Sequence, residues 1–216
     1  MMLKINYLDE DKIRKIGHAF GYYDYKNEQG MNLYYSGNDA VARYICGYVR
    51  MALRAGWLYA TPGHEAFIAY KLPGQKISFG AAMCLMKGFV KSMSMKELLH
   101  MLKMMGSSEQ KSLNDIWTKE KKDFIYVGMV AVLEEYQGQG YMRKVLQMAF
   151  DEGKRLGVPV VLDTDAKSKC DKYIHLGMEL YGTRKLKDGC VLYDLVKYPD
   201  IGRQEFDYWY RKSAVL

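Results

Sequence analysis

The fold is decided by residues 124–143, which read FIYVGMVAVLEEYQGQGYMR. Residues 124–133 are almost continuously apolar and rich in β-branched and aromatic side chains, a pattern typical of a strand covered on both faces. Gly138 and Gly140 follow in a glycine turn, and apolar residues at helical spacing continue to Leu156. We therefore predict a buried central strand that passes through a glycine turn directly into a helix.

The turn between this strand and its helix has the features of an anion-binding site. The first backbone N–H groups of a helix have no partner within the helix, and they lie at the positive end of its dipole. Gly138 and Gly140 carry no Cβ to hold a phosphate away, and Arg143 and Lys144 add positive charge. Neither G-x-G-x-x-G nor G-K-[ST] fits, and two glycines also occur where a chain simply turns. A phosphate site and an ordinary turn therefore both stay open at this point.

The residues after the helix extend the pattern to the C-terminal side. A second buried strand is predicted over residues 158–164, parallel to the first across the helix. A short helix over 167–176 ends in the sequence Tyr-Ile-His-Leu-Gly-Met at 173–178, and two strands near 178–186 and 190–198 form a hairpin. The predicted order is strand, glycine turn, helix, strand, helix, strand, strand.

The residues before the central strand predict helices and a short meander. Apolar residues at helical spacing predict one helix over 9–20 and another that begins with Asn38 as its cap and ends at Gly56. Short aromatic and β-branched runs at 57–61 and 66–72 predict strands.

Residues 79–122 predict an insertion made of short helices. Ser94 and Glu97 have the spacing of a capping box, and the helix that they begin ends at Gly106; a second helix is predicted over about 109–119. Methionine is frequent here and could form an adaptable binding surface, but we expect mainly core packing. The methionines concerned are Met83, Met86, Met93, Met95, Met101, Met104 and Met105.

Composition restricts the class of protein. The 216 residues are 49% hydrophobic, and 32 basic against 25 acidic residues give a net charge of +7. This is enough apolar material for a folded core, and no run is long enough to span a membrane. Because the first residues form no signal-peptide h-region and no membrane span is found, we expect a cytoplasmic location. Four widely spaced cysteines without a C-x-x-C pair argue against a zinc knuckle or a disulfide scaffold, and we expect no metal. Residues 87–122 and 154–187 each carry eight basic against four acidic residues, a field that attracts anions.

The order of elements, together with two motifs, resembles the GNAT superfamily of acetyl-CoA-dependent N-acetyltransferases. The family pattern [Q/R]-x-x-G-x-[G/A] corresponds to residues 137–142, and the pattern Tyr-x-x-Leu-Gly-[Phe] corresponds to 173–178. The resemblance covers about residues 124–197. Within it, Met142 replaces a small residue, Glu134 stands where proline is common, and Met178 replaces phenylalanine.

One departure concerns the cofactor directly. The family often has an asparagine in the loop after the second parallel strand, and none occurs between Asp165 and Asp171. The contact that this asparagine makes to the pantetheine arm therefore has no counterpart from that residue type.

The resemblance implies an α/β fold of the GNAT type. Its centre is a mostly antiparallel twisted sheet, with the fourth and fifth strands parallel around the CoA site and helices on both faces. A single domain over 1–216 then divides into N-terminal helices and meander (1–78), helical insertion (79–122), acetyl-CoA-binding core (123–198) and C-terminal tail (199–216).

The resemblance also implies which residues contact acetyl-CoA. Backbone amides of the glycine turn would hold the pyrophosphate, the free edge of the central strand would pair with the pantetheine amides, and an N–H near Val132 would stabilise the thioester oxyanion. The implied cofactor residues are Val130, Ala131, Val132, Gln137, Gly138, Gln139, Gly140, Tyr141, Met142 and Arg143.

The implied reaction is direct attack of an amine on the acetyl carbon, without a covalent enzyme intermediate. Tyr173 occupies the position of the general acid that protonates the leaving thiolate. Because an amine with a pKa near 10 is mostly protonated at pH 7, a base is needed, and we predict Glu135 for it. Glu65, His64 and Asp163 are further candidates.

Two other classes of function remain open. A basic interaction protein would bind RNA or a protein partner through the Lys87 to Lys122 face, and a non-catalytic GNAT-like domain would bind CoA as a sensor. For the transferase, we expect a small-molecule or peptide amine as acceptor, with neither a membrane nor nucleic acid as partner. The tyrosine-rich segment 206–210 could seat against the core or against a second copy in a homodimer.

Overall fold

The computed structural model of the protein describes residues 3–24, 28 and 31–199. In chain order, its helices and strands are β1 (Leu3–Lys4), α1 (Glu10–Gly21), α2 (Asn38–Ala55), β2 (Leu58–Ala60), β3 (Ala66–Lys71), α3 (Phe79–Ser92), α4 (Met95–Met105), α5 (Leu113–Lys119), β4 (Ile125–Val132), α6 (Tyr141–Leu156), β5 (Val160–Thr164), α7 (Lys167–His175), β6 (Glu179–Lys185) and β7 (Val191–Lys197). Single 3₁₀ turns lie at Met31–Tyr34 and Glu134–Tyr136. Among these described helices, none is long and apolar enough to cross a bilayer.

The strands form one sheet in the order β1-β2-β3-β4-β5-β7-β6. The pair β4 and β5 is parallel, whereas the other neighbours are antiparallel. The crossover from β4 to β5 runs through α6, as a parallel connection requires. The predicted fold class, a mostly antiparallel sheet with a parallel fourth and fifth strand, is confirmed.

The parallel pair opens soon after it begins. Strands β4 and β5 pair only at Ile125 with Val160 and at Tyr126 with Val161, although β4 continues to Val132. Along the same stretch β4 stays paired with β3 on its other side. The two parallel strands therefore diverge, and the second half of β4 has an edge that β5 does not cover.

A bulge lies in β4 at the point where the strands diverge. Ala69 of β3 pairs with Met129 and Tyr70 pairs with Val127, which leaves Gly128 as the extra residue. A glycine inside an otherwise apolar strand often marks such a bulge. The bulge changes the alternation, so that Val127 packs on one face of the sheet and Met129 on the opposite face.

The sheet carries helices on both faces. Helices α1 and α2 pack over β2, β3 and the end of β4, with Phe67 and Met129 in their core. Helices α6 and α7 pack on the opposite face around Ile68 and Val160. Helix α5 lies on the α2 face, where Trp117 contacts Val161 and Val196.

The predicted helices of the N-terminal region are present with one correction. Helix α1 begins after Asp9, whose carboxylate accepts the Lys12 N–H at 2.7 Å. Helix α2 is capped by Gly37, with φ at +119°, instead of by Asn38, which is its first helical residue. Its C-cap is Gly56 in the left-handed region, as its position predicted.

The insertion holds a longer helix than its sequence suggested. Helix α3 has 14 residues and packs against α2, where a Cβ on Gly47 would lie 2.5 Å from Gly88 Cα. Helix α4 begins with the predicted Ser94–Glu97 capping box and ends at Gly106.

The expectation that the methionines of the insertion are mainly core is wrong. Met93 is buried, but Met83, Met86, Met95 and Met105 are exposed. Helical spacing places these residues on apolar stripes, but parts of those stripes on α3 and α4 are exposed. The predicted tail segment 206–210 lies outside the described residues.

Candidate functional site

A cavity of about 770 Å³ lies where β4 and β5 diverge. Its walls come from the end of β4, the glycine turn with the start of α6, helix α7, and the end of α1. Nine of the ten residues predicted to contact the cofactor line it: Val130, Ala131, Val132, Gln137, Gly138, Gly140, Tyr141, Met142 and Arg143. Gln139 is not in the lining, and its side chain donates to the Glu135 carbonyl at 2.9 Å.

The second half of β4 presents to this cavity an edge that none of the described strands pairs with. The Leu133 N–H donates to the Glu65 carbonyl at 2.9 Å and so points toward β3. Because alternate residues of an antiparallel strand direct their backbone groups to opposite neighbours, Val130 and Val132 direct theirs to the open side. Ala131 lines the cavity but directs its backbone groups to β3. The Gln137 side chain reaches the Val132 carbonyl at 3.4 Å.

The start of α6 is built as an anion site. Gly138 and Gly140 have φ of +76° and +78°, a region that favours glycine, and a Cβ on either would meet nothing within 4 Å. The N-cap is Gly140 with no side-chain cap, and the first turn contains no acidic residue. By contrast, at the start of α7 the Glu28 carboxylate accepts the Ser168 N–H at 3.0 Å. Within the part of the chain that the structure describes, no carboxylate caps the first amides of α6, whose residues line the cavity.

The cavity wall is also positively charged. Arg143, Lys169 and Lys172 line it, against one acidic residue, Asp171. Lys169 is held at 3.1 Å from Asp165, and the Lys172 ammonium contacts the Tyr23 hydroxyl. An open helix start, flexible glycines and lysine or arginine side chains are the groups that hold a diphosphate.

Tyr173 lies on α7 and is 9% exposed, with that surface in the cavity lining. Its carbonyl accepts the Met178 N–H at 3.1 Å, which fixes the turn of the Tyr-x-x-Leu-Gly motif. The helix and the motif therefore bring Tyr173 to the same cavity as the open edge of β4.

The base candidates are dispersed. Glu135 is exposed in the turn after β4 and is not in the cavity lining. Glu65 accepts a hydrogen bond from the Thr61 hydroxyl at 2.5 Å, which holds the pKa of this carboxyl below its ordinary value. His64 sits at φ +60° beside Phe67 in the loop before β3. Asp163 differs from the other three candidates because it is bonded to Tyr126 and Arg184 in a largely buried network.

A second group of partly exposed residues, on the α2 face of the sheet, was not anticipated from the sequence. Gly128 is exposed although both of its neighbours in β4 are buried. A Cβ on Gly128 would lie 1.9 Å from Tyr48 Oη and 3.5 Å from Tyr126 Cε1. The Tyr126 hydroxyl donates to Asp163 Oδ1 at 2.8 Å. We call the partly exposed surface formed by Gly128, Tyr48, Tyr126 and Asp163 the Gly128 chamber.

A buried ion cluster supports the chamber. Arg184 donates to Asp163 at 3.2 Å and, through two nitrogens, to Asp194 at 2.8 and 3.1 Å. Burial raises the pKa of Asp194, although the Arg184 guanidinium acts in the opposite direction. Burial likewise raises the pKa of Tyr48 and of Tyr126 above the ordinary tyrosine value. These hydroxyls therefore remain protonated at neutral pH.

Tyr48, Arg184 and Asp194 belong to no sequence motif, so their places in the chamber and in the ion cluster were not predicted. Each lies on a different element, and only the folded sheet brings them together. The one local signal was Gly128, because a glycine within a strand pattern indicates a bulge or a close approach.

The mostly antiparallel sheet with one divergent parallel pair, flanked by helices on both faces, has the architecture of the GNAT fold. Residues 103–169 match the profile of the family described as acetyltransferase (GNAT) family, a little under a third of the chain. No curated protein matches the sequence. Over residues 103–169 the chain is therefore similar to the GNAT family of acetyltransferases.

Solved structures share this fold over most of the chain. An N-acetyltransferase from Staphylococcus aureus Mu50 has a TM-score of 0.54 at 13% identity and covers 91% of this chain and 100% of its own. A Corynebacterium glutamicum structure, described as histone acetyltransferase HPA2 and related acetyltransferase, has a TM-score of 0.55 at 12% identity. The match covers 94% of this chain and 97% of the Corynebacterium chain. A GNAT family acetyltransferase from Listeria monocytogenes has a TM-score of 0.51 at 12% identity, and the match covers 92% of this chain and 94% of the Listeria chain. At these identities the likeness shows the fold.

Proposed function

We propose that the cavity between β4, α6 and α7 binds acetyl-CoA and that the Gly128 chamber receives the amine from the opposite face of the sheet. The observation that carries this proposal is the divergence of β4 from β5, because it leaves one strand edge accessible from both faces. Gly128 lies two residues from Val130, about 7 Å along the strand. A thioester held along the edge would therefore be within reach of the chamber.

The cofactor residues divide into two groups. The amides of Tyr141, Met142 and Arg143, at the start of α6, would hold the diphosphate, with the Arg143 side chain adding charge. The backbone groups of Val130 and Val132 would pair with the pantetheine amides as a neighbouring strand would. When bound, acetyl-CoA supplies an activated acetyl thioester. The loop after β5, where the family often has an asparagine, ends here at Ala166, the N-cap of α7, which makes no side-chain hydrogen bond to the helix.

The residues of the chain supply the proton transfers. The amine nitrogen bonds to the acetyl carbon, the carbon–sulfur bond breaks, and the sulfur leaves as a thiolate. In this proposal the Val132 N–H would stabilise the oxyanion, and the Tyr173 hydroxyl would protonate the thiolate. On the amine side, the Tyr126 hydroxyl can accept a proton while it passes its own to Asp163. Glu135 remains a predicted base, and Glu135→Gln tests it through the pH profile of kcat.

Thermal unfolding with and without acetyl-CoA tests the binding site, with ATP and NAD as controls. At about 100 times its Kd, a ligand stabilises the native state by about 2.7 kcal/mol. For a chain of this size this raises Tm by about 5–10 °C. A rise with acetyl-CoA alone supports the proposal, whereas equal responses to all three ligands would contradict it. Binding without release of CoA on any amine would indicate a sensor instead of a transferase.

The acceptor class, a small-molecule or peptide amine, belongs to this proposal. The subdivision of the chain into core and insertion, the cytoplasmic location and a homodimer remain predictions from the sequence. The four cysteines are free thiols, as is usual in a reducing compartment.

A further inference from the structure

The charge of the Gly128 chamber is that of a single carboxylate. Its ion cluster contains two carboxylates, Asp163 and Asp194, and one guanidinium, Arg184, which sum to one negative charge. The side chains of Arg184 and Asp194 are 8% and 5% exposed, whereas the Asp163 side chain is 26% exposed. Asp163 is therefore the member of the cluster that an acceptor in the chamber would meet.

The remaining walls of the chamber are aromatic. Tyr48 and Tyr126 flank Gly128, and the Tyr44 ring follows with its centroid 6.5 Å from that of Tyr48. Tyr44 in turn packs on Phe89 of α3 at 4.7 Å and on Tyr35 at 5.5 Å. Burial raises the pKa of Tyr44 to about 12, so this ring also stays neutral. Neutral tyrosine rings pack against flat apolar groups and attract a cation that lies over the face of a ring.

The surroundings disfavour an acceptor with several positive charges. A polyamine or an aminoglycoside that buried its further ammonium groups against this surface would need a carboxylate, or another acceptor of similar strength, for each of them. On the same side, the Asp188 carboxylate already accepts a hydrogen bond from the Tyr34 hydroxyl at 2.8 Å. Residues 87–122 of the insertion add a net charge of +4, from eight basic and four acidic residues.

We propose that the acceptor is a primary monoamine attached to an aromatic or similarly flat apolar body. Its nitrogen would lie between Gly128 and the Tyr126–Asp163 pair, and its body would lie against Tyr48 and Tyr44. This inference rests on the proposed function, since it names the acceptor class for the same acetyl transfer.

The experiment measures CoA release with four amines: 2-phenylethylamine, butylamine, spermidine and kanamycin. We expect kcat/KM for 2-phenylethylamine to exceed that for spermidine and kanamycin at least tenfold, with butylamine in between. Spermidine or kanamycin as the best acceptor would overturn the inference. So would a protein that binds acetyl-CoA but neither binds nor acetylates 2-phenylethylamine.

A pair of variants tests whether the Gly128 chamber is the place of recognition. In Gly128→Ala the added methyl meets the Tyr48 hydroxyl, so we expect KM for 2-phenylethylamine to rise at least fivefold with an unchanged KM for acetyl-CoA. Adding Tyr48→Phe removes the hydroxyl that the new methyl would contact, so the amine KM of the double variant should return part of the way to the wild-type value. An unchanged amine KM in Gly128→Ala would place recognition elsewhere.

The controls separate this inference from the proposed function. Failure of acetyl-CoA to raise Tm of the wild-type protein, together with no turnover, would remove both. A normal rise in Tm with turnover confined to polycationic amines would remove only the acceptor class.

Discussion

Replacing Gly140 by alanine separates the conformational role of the glycine turn from its role in binding. Gly140 has φ of +78°, and a Cβ there would meet no atom within 4 Å. Gly157, at the other end of α6, has φ of +68° and equally open surroundings, but it is not in the cavity lining. Gly157→Ala is therefore a matched control on the same helix.

Neither variant introduces a clash, so the cost comes from the backbone conformation alone. An L-residue in the left-handed region costs about 1–2 kcal/mol. For a chain of this size each kcal/mol lowers Tm by about 2–4 °C, and the two variants should therefore lose similar stability. In Gly140→Ala alone, the methyl projects beside the first amides of α6, where the diphosphate is proposed to lie.

Calorimetric titration with CoA, alongside thermal unfolding, distinguishes the two effects. We expect CoA to bind Gly140→Ala at least tenfold more weakly than wild type, about 1.4 kcal/mol, and Gly157→Ala with unchanged affinity. Equal affinities for the two variants would refute the assignment of the glycine turn to the diphosphate, whatever their stabilities.

Three further substitutions test other parts of the structure. Tyr173→Phe should lower kcat at least tenfold with little change in CoA affinity; an unchanged kcat, measured by CoA release, would exclude this hydroxyl from the reaction. Arg184→Met should cost about 3–5 kcal/mol at pH 7, because it leaves two interior carboxylates unpaired. Loss of the guanidinium removes the influence that lowers the pKa of Asp194. Denaturant titrations should therefore show a smaller loss of stability at pH 5 than at pH 7, and an equal loss at both pH values would count against the cluster. Gly47→Ala forces α2 away from α3 and should cost about 1–3 kcal/mol in thermal unfolding, whereas Gly182→Ala, with open surroundings, should cost little; similar losses would contradict the close packing.

The sequence predicted the elements whose determinants are local. The apolar run of β4, the glycines before α6 and the Ser94–Glu97 capping box each depend on neighbouring residues. The motif at 173–178 placed Tyr173 beside the cavity because α7 carries it there as a short rigid unit. For the same reason nine of the ten predicted cofactor residues share one cavity wall.

The Gly128 chamber could not be predicted, because its walls are distant in sequence. Tyr48, Gly128, Asp163 and Arg184 come from α2, β4, β5 and β6, and only the sheet order places them together. Spacing within the chain carries no signal for such a set. The orientation of α3 and α4 was also beyond reach, since periodicity identifies an apolar stripe without showing what the stripe faces.

Amide hydrogen exchange, with and without acetyl-CoA, tests the proposed binding site most directly. Binding should slow exchange at the Val130 and Val132 amides, which face the open edge of β4, and in the first turn of α6. Peptides from α3 and α4 serve as internal controls and should not change. We expect protection confined to residues 130–143 and the adjacent face of α7. Unchanged exchange over 130–143 at saturating acetyl-CoA would contradict the proposed site.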